Sequence, residues 1–440
     1  MSIKSKIEIA EWTIKETINA GANEASATVS NRREVEIEFR DKKLEKLSES
    51  TKNSLKLAIY SNYRYSSHTT NDLRKESLQK FISEAVAATK YLSRDDFRSL
   101  PDSKYYPKDN DMNLQILDKN HEKVETSERV KLAREIESAA MEVSDQIISS
   151  TAGCGDVYYE TAKVHSNGFS GENQGTIFYA GAEVTVKDGE SGRPADWYYG
   201  STRYLEDLPS PDFLGKEAAR RALRKVGQKK IDSGQYAMIV ENRSGSRLLS
   251  MLQGPMSARS LQQKSSFLEG KLGKKIASEK FSVIDNPFLE KGLGSRLFDN
   301  EGIAAKKRYM IEKGILRNYY VDNYYGRKLG MAPTSGSSSN IIFDYGSRSC
   351  EELIKDLKKG IFVTGFIGGN SNSTTGDFSF GVVGLLIENG ELVQPVNEMN
   401  ISGNAQDFWK NLVEVGNDPY IYSSRRMPSL MFEGVQFSGL

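Results

Sequence analysis

The sequence predicts an α+β fold: an N-terminal helix–antiparallel sheet–helix unit, a mixed middle segment and a strand-rich C-terminal domain. Three observations predict it. Apolar residues recur at helical spacing near both ends of the first hundred residues, with alternating runs between them. Asn167-Gly168 and Asn389-Gly390 are turn signals of antiparallel hairpins. Beyond residue 230, strand patterns outnumber helical ones.

Each element follows from its residues. Over 4–20, Ile7, Ile9, Ala10, Trp12, Ile14 and Ile18 recur mostly at helical spacing, and Gly21 supplies the stop. Ala25–Ser30, Glu34–Phe39, Leu44–Ser48 and Leu55–Tyr60 read as four short strands. Leu78, Phe81, Ile82, Ala85, Ala88 and Leu92 form the stripe of a closing helix. The polar, proline-bearing linker 100–111 ends this unit, which spans 1–100. The middle domain, 101–229, opens on a helix expected over Ser127–Ile148 with Thr126 or Ser127 as its cap. Strands with glycine-rich turns follow from Ser150 to Tyr204. Ser210-Pro211 then starts a helix in the order cap, then proline.

The last domain, 230–440, begins with the buried-type strand Tyr236–Glu241. It holds a hairpin over Arg308–Arg317 that turns at Glu312–Gly314, and a capped helix over Ser349–Lys359. In Ile361–Asn404, apolar runs flank a loop with almost no charge. Gly368, Gly369, Asn370, Asn372, Thr375 and Gly376 in that loop are candidates for binding a peptide or a partner. Glycine lets another backbone approach, and a loop between rigid strands presents donors and acceptors. A tight irregular connection is the other reading of the same residues.

Composition excludes several classes. Sixty Lys and Arg balance 59 Asp and Glu over 440 residues, a formal net charge of +1, so direct nucleic-acid binding is not expected. Two cysteines make no disulfide framework. The absence of an apolar signal core or membrane-length run points to the cytoplasm. The three histidines, His68, His121 and His165, lie far apart, and none belongs to an H-E-x-x-H pair. Neither a G-x-S-x-G elbow nor a phosphate-binding Walker loop occurs. Asp285, Asp299 and Glu301 flank Gly292-Leu-Gly-Ser-Arg296, where carboxylates commonly serve turns.

The C-terminal third carries a more specific string. Phe298-Asp-Asn-Glu-Gly-Ile303 precedes Met310–Leu316, then Lys359-Gly-Ile-Phe-Val363, Gly368-Gly369 and Thr375-Gly-Asp-Phe-Ser-Phe380. Ile387-Glu-Asn-Gly-Glu391, Pro395-Val396 and Ile401-Ser-Gly-Asn404 complete it. In order and spacing it resembles the TldD/PmbA family, and a weaker pattern extends over nearly the full length. In that family the metal-bearing TldD branch carries a His-Glu-x-x-x-His helix after the strand matching Tyr236–Glu241, and a later cysteine is thought to complete its zinc site. Here the matching segment is Gly245–Pro255. Ser250, Met251 and Pro255 occupy the positions of the first His, the Glu and the second His, and Ile421–Arg425 contains no cysteine.

The resemblance is therefore to the PmbA, or TldE, branch, which has been described as a modulator of DNA gyrase. It implies no metal and no catalytic residue in this chain. It also implies a TldD-like partner that supplies zinc for proteolysis of unfolded or small peptides, with a homodimer as the other assembly. Two alternatives remain at this stage. One is an autonomous hydrolase using Asp285, Asp299, Glu301 or His165, and the other is a gyrase-modulating interaction protein. Pro255 is expected to end or kink its helix.

Overall fold

A computed structural model describes residues 3–108 and 112–440. The last three residues of the sequence-defined linker, 109–111, lie outside the described residues. The chain is α+β, as expected. Helix α1 (Ile3–Asn19) leads into strands β1 (Glu24–Arg40), β2 (Lys43–Ser61) and β3 (Arg64–Thr70), and α2 (Lys75–Thr89) closes the unit. Helix α3 (Thr126–Met141) is followed by β4 (Ile147–His165), β5 (Ser170–Val186) and β6 (Ala195–Thr202), then by α4 (Pro211–Leu223). These strands form one antiparallel sheet in the order β3-β2-β1-β4-β5-β6, so the units divided near residue 100 in the sequence share a sheet.

Strand β1 shows why. Ala25, Ala27 and Val29, then Val35, Ile37 and Phe39, are buried at one parity and therefore on one face. Helices α1 and α2 cover the first set, and α3 and α4 cover the region of Ile37 and Phe39. The four short strands expected between residues 25 and 60 are thus two long ones. Polar residues such as Asn31 and Arg32 interrupt the apolar alternation, but their backbones still pair, with Asn53 and Lys52. The turn between these strands is Asp41-Lys42, with φ of 48° and 60°, a two-residue loop without the Asn-Gly signal.

Helix α3 also stops earlier than its apolar pattern suggests. Ser144 turns the chain by accepting the Gln146 and Ile147 N–H groups, and Ile147 and Ile148 enter β4. Its first turn is held by Glu128, whose carboxylate accepts the Glu125 N–H at 3.1 Å, rather than by a Thr126 or Ser127 cap. The cap at Ser210 is as expected, with its hydroxyl accepting the Phe213 N–H at 3.2 Å.

The C-terminal part starts with β7 (Gly234–Val240), α5 (Ser246–Gln253) and α6 (Ala258–Gln262). A small sheet ordered β10-β9-β8-β11 follows, from β8 (Val283–Asn286), β9 (Arg308–Glu312), β10 (Ile315–Leu316) and β11 (Asn340–Phe343). Helices α7 (Asn323–Leu329) and α8 (Cys350–Lys355) flank β11 in sequence. Helix α8 is shorter than the expected Ser349–Lys359, because β12 already begins at Lys359.

Strands β12 (Lys359–Ser371), β13 (Asp377–Glu388), β14 (Glu391–Asn404), β15 (Leu412–Val415) and β16 (Leu430–Ser438) complete the chain. The order β14-β13-β12-β7-β16-β15, with Asn400 and Ile401 of β14 pairing back to Ser438 and Phe437, closes a barrel-like ring. Met238, Val240, Val363, Phe380, Phe432 and Phe437 belong to its core. Ile239 and Phe362 point the other way, against Leu353 and Ile354 of α8. Both faces of β7 are buried, which explains its continuous apolar run.

Candidate functional site

Helix α5 follows β7 after a short turn, and Leu248, Leu249, Met251 and Leu252 anchor it in the barrel core. Ser250 is exposed, and its hydroxyl donates to the Arg247 carbonyl at 2.6 Å. Met251 is only 2% exposed and belongs to the core. The helix ends at Gln253 with Gly254 as C-cap, so Pro255 lies past its end, as a residue without an N–H should. A hydroxyl, a buried thioether and a proline do not fit a zinc ion. Among the described residues, no group of three or more His, Cys, Asp or Glu is placed to hold a metal.

The β12–β13 tip leans over this helix end. The Phe267 N–H donates to the Ser373 carbonyl at 2.9 Å. The Arg247 guanidinium donates to the Gly369 carbonyl at 2.8 Å and sits 4.7 Å from the Phe380 ring centre. Of the six candidate residues, Gly368, Gly369 and Asn370 lie inside β12 rather than in a loop. Both glycines have positive φ, 61° and 76°, where the ladder with β13 skips. A Cβ on Gly369 would meet the Ser379 carbonyl oxygen at 2.1 Å, so glycine is required there.

Asn372, Thr375 and Gly376 form the turn itself. The Asn372 side chain accepts the Thr374 N–H at 2.8 Å, and the Thr375 hydroxyl donates to Asp377 at 2.6 Å. The Gly376 N–H donates to the Asn372 carbonyl at 2.8 Å, and its own carbonyl accepts the Ala405 N–H at 2.8 Å. The Asn404 amide donates to the Thr375 carbonyl at 2.9 Å.

Beside the tip, a cleft of 520 Å³ opens between β6, the turn after β7, α5 and β12. Lys225, Arg243 and Arg247 line it with one carboxylate, Asp196. Asp196 pairs with Lys225 at 3.1 Å and with Arg243 at 3.2 Å, while Arg221 grips Glu241 through two bonds of 2.5 and 2.7 Å. Burial opposes charge on Asp196, but Arg221 and Lys225 hold its carboxyl below the usual range. This network joins α4 and β6 to the β7–α5 corner. Arg243 stacks on Trp197, 4.0 Å from its ring centre. Trp197, Lys225 and the Arg243–Arg247 corner come from three separate segments, so no local sequence signal brings them together. A larger cavity of 750 Å³, lined by residues 112–120, 170–174 and 296–298, lies away from α5.

The carboxylates and histidine considered for an autonomous hydrolase have structural partners. Asp285 accepts the Ser339 N–H at 2.8 Å and pairs with Arg308 at 3.3 Å. Asp299 accepts the N–H groups of Glu301 and Ile303 at 2.8 and 3.0 Å, closing a turn. Glu301 accepts the Asn323 N–H at 2.8 Å, and burial pushes its carboxyl up to about 7. Nearby Lys163, lowered by burial to about 8, donates to the Asn300 carbonyl. His165 lies 3.0 Å from the Tyr106 hydroxyl, and burial followed by the Lys163 charge lowers it to about 3, leaving the ring neutral. The Gly292-Leu293 segment offers its two carbonyls to Arg203 at 3.2 and 2.7 Å.

The shared sheet, the barrel-like ring and the helix following β7 define an α+β scaffold. Comparison with known proteins identifies the scaffold. The PmbA/TldA metallopeptidase C-terminal domain matches residues 233–439, the central domain residues 119–226 and domain 1 residues 25–89. Metalloprotease PmbA of Escherichia coli O157:H7 is 28% identical over 438 residues, covering 98% of this chain and 96% of that protein. A crystal structure of a Bacteroides thetaiotaomicron protein, named as a candidate modulator of DNA gyrase, superposes with a TM-score of 0.96. It is 39% identical, with 98% of each chain covered. TldE from Thermococcus kodakarensis shares the fold, with a TM-score of 0.88 at 21% identity over 98% of this chain and 100% of that one. The chain belongs to the PmbA/TldD metallopeptidase family.

Proposed function

We propose that this chain is the metal-free, TldE-like subunit of a TldD/TldE-type peptidase complex in the cytoplasm. A TldD-like partner supplies the zinc. This chain contributes binding and enclosure for unfolded or small peptides, with the tip bearing Gly368, Gly369, Asn370, Asn372, Thr375 and Gly376 as a wall of the shared cavity. The observation that carries the reading is the state of α5: Ser250 bonded within its own helix, Met251 in the core and Pro255 past the end.

The edge of β12 supports peptide binding. Strand β7 pairs with it only at Gly360–Val363, so among the described residues Gly365–Ile367 pair with β13 alone. An extended peptide adds to such an edge by backbone pairing. The test is reconstitution. Alone, the chain is expected to show no peptidase activity; mixed with a His-Glu-x-x-x-His relative from the same host, it is expected to form a stable complex that cleaves unfolded peptides. Chelator-sensitive peptidase activity of this chain alone would overturn the proposal.

A further inference from the structure

The cleft beside β12 has more positive charge than its own carboxylate neutralises. Its lining holds Lys225, Arg243 and Arg247 with one carboxylate, Asp196, and Glu241 reaches Arg243 at 3.9 Å. Asp196 is already shared by Lys225 and Arg243, and Arg221 lies 3.7 Å from it. Glu241 is held by both terminal nitrogens of Arg221. Arg247 forms no ion pair among the described residues. Among the described residues its guanidinium contacts the Gly368 and Gly369 carbonyls and the Phe380 ring, none of them charged, so its charge remains available. Arg243 is 7% exposed, and its Nε lies 3.9 Å from Glu241, an ion-pair distance too long for a hydrogen bond, so the Nε–H finds no acceptor. A buried, unsatisfied donor on a cation favours an incoming acceptor.

The same cleft borders the unpaired edge of Gly365–Ile367. At about 3.3 Å per residue, that edge accommodates roughly three residues of an extended chain. Gly368, where the edge reaches Arg247, has nothing within 4 Å of the position a Cβ would take, so the approach is open. The flat indole of Trp197, stacked with the Arg243 guanidinium, lines the same cleft.

Resting on the peptide-binding reading above, we infer that this cleft selects peptides bearing a carboxylate. Arg247, with Lys225 and Arg243 behind it, holds the anionic group while Gly365–Ile367 pair with the peptide backbone. The carboxylate comes either from a free C-terminus or from an Asp or Glu side chain near it. Arg247 and Lys225 are specificity residues in this account, acting on binding and not on bond cleavage. The inference is local, because the chain as a whole carries a formal charge of only +1.

The test uses the full chain in its purified assembly and three N-acetylated Val-Thr-Val-Thr-Val peptides. One ends in a free carboxylate, one in an amide, and one in an amide with its last Val replaced by Glu. Calorimetry at low salt is expected to show at least one acidic peptide binding about tenfold more tightly than the neutral amide. Which acidic peptide gains identifies the source of the carboxylate. In Arg247→Gln the preference collapses to within about threefold, and Arg247→Glu disfavours both acids. The urea midpoint of Arg247→Gln stays near the wild-type value, which separates loss of the charge from loss of the fold. If all three peptides bind wild type equally, carboxylate selection is overturned while peptide binding stands. If the preference survives in Arg247→Gln and Lys225→Gln alike, the assignment to these residues is overturned. If none binds, the peptide-binding reading falls and the inference falls with it.

Discussion

Two parts of one glycine-rich segment behave in opposite ways. From Asn372 to Gly376 the chain closes on itself, with the Asn372 and Thr375 side chains and the Gly376 backbone bonded within the turn or to Asn404 and Ala405. From Gly365 to Ile367 the strand is paired on one side only. Both stretches are uncharged and contain glycine. What separates them is where their hydrogen bonds go: a polar loop whose groups are already paired can wall a cavity as a fixed shape, and an edge with unpaired groups can pair with a ligand's backbone.

The largest expected effect comes from closing the space that shapes the tip. Gly369→Ala puts a Cβ against the Ser379 carbonyl at a φ of 76°. It should destabilise the chain by about 3 kcal/mol or more, read as the shift in urea midpoint. Gly368→Ala, at a φ of 61° but with open space, should cost only about 1–2 kcal/mol. Equal effects would break the distinction between a packed and an open glycine.

Next in size is the turn. Asn372→Ala removes the acceptor of the Thr374 N–H and should cost about 1 kcal/mol, with peptide affinity falling by no more than that loss of stability. A loss of affinity larger than the loss of stability would move the binding site from the edge to the turn.

A comparable effect is expected outside the cleft and depends on pH. Glu301 is raised by burial from 4.5 to about 7, so between these values the folded state retains a proton that the unfolded state releases. Stability should therefore fall as pH rises from 4.5 to 7, by about 1–2 kcal/mol after allowing for partial exposure. Glu301→Gln keeps an acceptor for the Asn323 N–H and should flatten that slope in chemical-denaturation curves. It should leave peptide binding untouched, and lost peptidase activity in the reconstituted complex would revive a catalytic role for this carboxylate. The smallest effect is on the stability of Arg247→Gln, about 0.5 kcal/mol or less, since its side chain is exposed.

Legibility followed the same division. Elements announced by local chemistry were readable: α1 and α2 from apolar stripes, the Asn167-Gly168 and Asn389-Gly390 turns, and the Ser210-Pro211 helix start. The segment holding Ser250, Met251 and Pro255 was readable as a helix with a break at its end, because Leu248, Leu249 and Leu252 share one face and proline follows. The continuity of β1 and β2 was not, since Asn31 and Arg32 pair through their backbones while their side chains break the apolar alternation. The extent of β12 was hidden for a related reason, because Asn370 and Ser371 resume the ladder with β13 after the skip at Gly368-Gly369 without strand-like side chains. Nothing local announces the cleft. Trp197, Lys225, Arg243 and Arg247 meet only because β6 and the segment after α4 pack against the corner between β7 and α5.

The central proposal is that α5 stands where a TldD-like subunit would carry its metal-binding helix and does not itself bind zinc. Metal analysis of the purified chain after dialysis against micromolar zinc tests it most directly, with the His-Glu-x-x-x-His partner measured in parallel. The account predicts far less than one zinc per copy of this chain and about one in the partner. One zinc per copy in this chain, retained on dialysis and released by a chelator, would contradict it.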